Sequence, residues 1–161
     1  MPYLADPKIH RNVLALLDAI AVTEGTDNGR QRTEHDGYDV IVGGTLFTDF
    51  SRHPNVLVTL NKSGLKSTAA GRYQLLYRYW PHYCEIVGHR DFKPETQDLI
   101  AIQQMREKGC IPWLVDGNIT EAVRRANRLW ASLPESPYGQ RTESWASFRE
   151  IFESKGGTWR R

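Results

Sequence analysis

The chain has 161 residues, 21 Lys and Arg against 19 Asp and Glu, a formal net charge of +2, and 40% hydrophobic against 25% charged residues. This length predicts one compact body over residues 1–161, with room for two lobes around a cleft. The ordinary composition excludes disordered and collagen-like chains, no basic block marks a nucleic-acid arm, and no apolar run approaches the ~18 residues of a membrane span.

Residues 1–6 show no charged and apolar leader, which predicts synthesis in a cytoplasm without a secretion signal. Asp6-Pro7 reads as a cap followed by a first-turn proline. Ile9, Val13, Leu16, Leu17 and Ile20 then recur at helical spacing to about Thr23, with Gly25 placed to stop the helix. Residues 38–42 and 45–50 are strand-like and flank Gly43-Gly44, the signature of a tight hairpin. Residues 51–66 are polar and turn-rich, and read as a long functional loop, so the small β lobe spans about 30–66.

Beyond that loop the pattern is helical. Ser67 or Thr68 is placed to cap a helix carrying Tyr73, Leu75, Leu76 and Tyr79, which Pro81 bends or breaks. Pro94 opens a helix that closes at Gly109, Ile119 to Trp130 form another, and Trp145 to Phe152 form the last, before Gly156-Gly157. The sum is an α+β fold, mainly helical, with one small antiparallel hairpin.

Glu24 sits where the first helix meets a polar loop. The negative end of the helix dipole and any burial both raise a carboxyl pKa, which suits a general acid for glycosidic cleavage. A solvated glutamate at a fraying helix end is the plainer alternative. Most glycoside hydrolases add a second carboxylate, for which Asp36, Asp39 and Asp49 are available, though each also suits a turn or strand position. Gly71-Arg72-Tyr73-Gln74 offers close backbone approach, a stacking ring and a two-way amide. Trp130 and Trp145 fall at helical spacing with apolar neighbours and read as core. No His or Cys spacing matches a metal site, so no metal or cofactor is expected. Cys84 and Cys110 read as reduced, partly buried thiols.

Five ordered blocks carry a resemblance. They are Thr23-Glu24-Gly25-Thr26-Asp27-Asn28-Gly29-Arg30, Gly37-Tyr38-Asp39-Val40-Ile41-Val42-Gly43-Gly44, Leu46-Phe47-Thr48-Asp49, Lys66-Ser67-Thr68-Ala69-Ala70-Gly71-Arg72-Tyr73-Gln74-Leu75, and Trp130-Ala131-Ser132-Leu133-Pro134 with Tyr138-Gly139-Gln140. Together, over nearly the whole chain, they resemble the lambda-type phage endolysins. Departures are Thr23 where the family has serine, and divergence in residues 12–16 and the last ten.

The resemblance implies a lysozyme-like fold and a lytic transglycosylase that cleaves the MurNAc-β-1,4-GlcNAc bond of peptidoglycan and leaves 1,6-anhydro-MurNAc. It implies Glu24 as the one catalytic acid and base, with no obligatory second carboxylate. It assigns Tyr38, Asp39, Ser67, Arg72, Tyr73, Gln74 and Tyr138 to the substrate groove, between lips at 50–66 and 131–141. It further implies a monomer, with cytoplasmic accumulation, holin-dependent release to the periplasm and host lysis. A muramidase using a hairpin aspartate, a silent wall-binding module, and a nucleic-acid binder are the competing readings.

Overall fold

The computed structural model describes residue 2 and residues 9–139 and 141–161; the Asp6-Pro7 start and Gln140 lie outside the described residues. The first helix, α1, spans Arg11–Thr23. His10 is extended and its Nδ1 accepts from Asn12 N at 3.1 Å, so a histidine caps the first turn and Ile9 precedes the helix. Val13 is 2% exposed and Leu16, Leu17 and Ile20 are fully buried. An i, i+3, i+4, i+7 stripe of this kind contributes roughly 1.5–3 kcal/mol per buried side chain. Asn12 ties this helix to the C-terminal tail: its Nδ2 donates to Leu114 O and Thr158 O, and its Oδ1 accepts from Thr158 N.

The hairpin at 38–50 forms, but barely as a sheet. Gly43 and Gly44 adopt φ of 92° and 103° at its turn, and Val40 and Leu46 make a single antiparallel bridge. The regular two-stranded sheet lies instead inside the segment expected to be loop. There β1 (Val58–Thr59) pairs antiparallel with β2 (Lys66–Ser67), in the register Val58 to Ser67 and Thr59 to Lys66. Asn61 builds the turn, its Oδ1 accepting from Ser63 Oγ and Leu65 N, and Gly64 at φ 87° completes it.

The helix expected from Ser67 or Thr68 to Tyr79 is absent. Gly71 at φ 82° and Gln74 at φ 55° are left-handed, and Ala70 bridges to both Ile41 and Leu75. This Gly71–Gln74 turn trades helical hydrogen bonds for contacts with three other segments. A 3₁₀ turn at Tyr77–Tyr79 leads into α2 (Trp80–Val87), where Pro81 opens the helix rather than bending it. Then come α3 (Pro94–Glu107), α4 (Ile111–Asp116), α5 (Ile119–Ala126) and α6 (Trp145–Ser154). The short α4 was not legible in the sequence. The apolar spacing runs on to Trp130, yet α5 stops at Ala126, because Asn127 turns its side chain to Pro134 O at 2.9 Å.

Two apolar cores result. The larger gathers α1 and α4–α6 around Leu17, Met105, Val123, Trp130 and Phe148. The smaller joins the hairpin to α2 around Ile41, Phe47, Trp80 and Phe92. α3 serves both, giving Ile100 to the smaller and Ala101, Ile102 and Met105 to the larger, and Phe50 packs against each. Cys84 and Cys110 are free and buried, one in each core.

Candidate active site

Glu24 is the C-cap of α1, with its N–H donating to Ile20 O at 2.8 Å. Gly25 follows at φ 80° and lets the chain turn so that Thr26 N and Asp27 N both reach Ala21 O. The Glu24 side chain is half-buried, and its Oε1 lies 3.1 Å from the Ser132 hydroxyl. Burial pushes its carboxyl up to about 7, against a smaller lowering by the Ser132 hydrogen bond. A group poised there holds a proton for donation at neutral pH and can take one back.

Behind Ser132 stands a short chain of hydroxyls. Ser132 Oγ is 3.0 Å from Thr23 Oγ1, and Thr23 Oγ1 donates to Ile20 O at 3.2 Å. When Glu24 is ionised, Ser132 donates to it. When Glu24 is protonated, the carboxyl donates to Ser132, whose own hydrogen turns to Thr23. Both protonation states are thereby satisfied without moving the carboxyl.

The floor beneath is a buried polar cluster. Arg72 is 1% exposed; its Nη2 donates to Asp18 Oδ1 at 2.9 Å and Asp27 Oδ2 at 3.1 Å, and its Nε to Asp36 O. Its guanidinium also lies over the Tyr38 and Tyr73 rings. Both phenols donate to Asp98 Oδ1 from α3, and Arg72 N donates to Gln97 Oε1. The Thr26 hydroxyl donates to Arg72 O at 2.6 Å and Trp130 Nε1 to Tyr73 O at 3.0 Å. The Gly71–Gln74 turn is therefore clamped between the loop after Glu24 and the segment that carries Ser132.

These contacts sort the residues expected in the groove. Tyr38, Asp39 and Arg72, at 2%, 1% and 1% exposed, are turned into internal hydrogen bonds and present little surface to a sugar. Tyr73, at 5%, spends its hydroxyl on Asp98. Gln74 is half-buried with its amide on Val40 O and Gly71 O, Ser67 is half-buried on β2, and Tyr138 is 56% exposed. The expected second carboxylates are occupied locally. Asp39 accepts from Thr33 Oγ1 and Glu34 N and so organises its own turn. Asp49 is held below the usual carboxylate range by hydrogen bonds from Ser51 and by nearby Arg52. Asp36 is exposed at φ 50° and contributes its carbonyl to Arg72.

Ser132, Thr26, Asp18, Gln97 and Asp98 carry much of this site and were not singled out from the sequence. Thr26 and Ser132 lay within blocks that carry the resemblance but were given no role, and Asp18 had a signal of its own, an acid inside the otherwise apolar run 15–21 of a helix. His53, read as no ligand, pins residues 53–55 to the turn through its contact with Leu75 O at 2.8 Å and by accepting from Asn55 N. Among the described residues no cluster of His, Cys, Asp or Glu could hold a metal ion.

The profile of the endolysin family matches residues 14–159. The chain belongs to the endolysin family. Among curated endolysins it is 51% identical to that of Escherichia phage lambda over 151 residues, 94% of this chain and 95% of the relative. It is 43% identical to that of Escherichia phage P2 over 157 residues, 92% and 94% of the two chains. Among solved structures, bacteriophage lambda lysozyme in complex with a chitohexasaccharide superposes with a TM-score of 0.91 at 50% identity, covering 96% of this chain and all of that one. A second structure of lysozyme from bacteriophage lambda gives a TM-score of 0.88 at 49% identity, with the same coverage. The fold is thus lysozyme-like α+β, and the family is one of phage enzymes of cell-wall degradation.

Proposed function

We propose that this endolysin is a peptidoglycan lytic transglycosylase in which Glu24 alone performs both proton transfers. The observation that carries this reading is a carboxyl raised to about 7 whose neighbours in the fold are hydroxyls, while Asp39 and Asp49 are committed to their own turns. Protonated Glu24 donates to the glycosidic oxygen between MurNAc and GlcNAc as the C1–O bond breaks. The resulting carboxylate then takes the proton from the muramic C6 hydroxyl, whose oxygen bonds to C1. Glu24 ends protonated, water is not consumed, and the product is 1,6-anhydro-MurNAc. The likeness to a protein bound to a chitohexasaccharide supports a β-1,4-linked amino-sugar strand as the substrate.

No described helix is long and apolar enough to cross a membrane. On family grounds we assign passage from the cytoplasm to the wall to a holin pore, with host lysis as the outcome.

The muramidase alternative needs a second carboxylate at the sugar. Asp49→Asn and Glu24→Gln, assayed on purified sacculi, separate the two. The proposal expects Asp49→Asn to retain at least half of wild-type glycan release, and Glu24→Gln to lose roughly 10²–10⁴-fold, the usual worth of a general acid–base. A comparable collapse in Asp49→Asn would favour the hydrolase.

A further inference from the structure

A groove of about 760 Å³ opens beside the active site, within the roughly 300–1,000 Å³ typical of small-ligand sites. It begins at Gln74 and Ala131. Gln74 belongs to the clamped turn, and Ala131 directly precedes Ser132, the hydroxyl on Glu24. From there it runs over Arg78 and Tyr79 to Lys108 at the end of α3. Tyr138 and Arg128 also line it, joined by the Tyr138 hydroxyl donating to Arg128 O at 2.7 Å.

The charge of this groove does not match a bare sugar chain. Arg78, Lys108 and Arg128 all line it and are exposed, and among the described residues none of the three forms a salt bridge. Arg78 instead lies over the Tyr79 ring, 4.8 Å from its centre. The one acid in the lining, Glu107, accepts from the Tyr83 hydroxyl. Three cations against one carboxylate leave a net positive wall. The amino-sugar backbone of peptidoglycan is uncharged, so these cations have no counterpart on it. The peptide attached to each muramic lactyl group does carry free carboxylates, and it projects from the sugar next to the scissile bond.

We propose that this groove binds the acidic stem peptide of peptidoglycan, with Arg78, Lys108 and Arg128 pairing its carboxylates and the rings of Tyr79 and Tyr138 packing on its backbone. The inference rests on the transglycosylase reading. It makes the enzyme selective for peptide-bearing over naked strands, a preference that weakens as salt screens exposed charge pairs.

The test uses two substrates, purified sacculi and the same sacculi stripped of peptides by an amidase with the freed lactyl carboxyls capped as methylamides, and new glycan chain ends are quantified by chromatography. Wild type is expected to show kcat/KM roughly three- to thirtyfold higher on the peptide-bearing wall, the range for three exposed pairs acting together. The triple variant Arg78→Gln, Lys108→Gln, Arg128→Gln should lose that advantage and match wild type on stripped strands. Equal wild-type rates on both substrates, or an equal loss by the variant on both, would overturn the peptide groove. Release by Glu24→Gln at wild-type rate would instead overturn the catalytic reading itself, so the two failures are distinguishable.

Discussion

Glu24 combines a cost and a use. Its folded value of about 7 stands above the ordinary 4.5, so the folded chain binds a proton that the unfolded chain releases between those values. The sign is therefore a loss of stability as pH rises from about 4.5 to 7, complete above 7 and absent below 4.5. Glu24→Gln should melt higher than wild type at pH 8, by an order of 2–3 kcal/mol, and should match it at pH 4. Equal melting at both values would show that the carboxyl is not desolvated. Ser132 supplies the opposing influence, lowering the carboxyl by donating to it. Ser132→Ala should move the alkaline limb of the kcat/KM profile further up, because that limb reports the acid in the free enzyme. A limb that stays in place would remove Ser132 from the proton chemistry.

At the scale of elements, what could be read in advance was what depends on near neighbours in the chain. The stripe of α1, the proline that opens α3 and the Gly25 stop are local, and each was legible. The largest failure, the helix expected over residues 67–79, comes from contacts far along the chain, while the missed sheet and the early end of α5 come from local turns. Residues 67–79 have helical composition, but the Gly71–Gln74 turn is held by Gln97, Thr26 and Trp130, at separations of 25 to 57 residues. Residues 51–66 looked like loop because the Asn61 turn breaks the run, and β1 and β2 have only each other to pair with. Gly71 shows how tightly that turn is specified. A Cβ there would collide with Gln97 Oε1 and the Phe92 ring, and φ is 82°. Gly71→Ala should cost at least about 2 kcal/mol in urea unfolding, since backbone strain and overpacking add. A loss below about 0.5 kcal/mol would mean the turn relaxes freely.

Across the whole molecule, two cores meet at α3, and the polar cluster around Arg72 fixes the position of the loop after Glu24. Arg72 draws α1, the loop after Glu24 and the hairpin together, through Asp18, Asp27 and Asp36. The resemblance singled out Glu24, whose place at a helix end alone left a solvated glutamate as the plainer alternative. The sequence could not show that Asp39 is spent on a turn or that Ser132 arrives from 108 residues away. Those two facts support the single acid and base that the resemblance implied over the pair of carboxylates that the residues alone left open.

The most direct test of that claim is mass spectrometry of the muropeptides released from purified sacculi by wild type and by Glu24→Gln. A single acid–base predicts muramic ends lighter by one water, the 1,6-anhydro form, from wild type and none from the variant. Reducing muramic ends from wild type would contradict it and require water, and a second group to activate it, at the sugar.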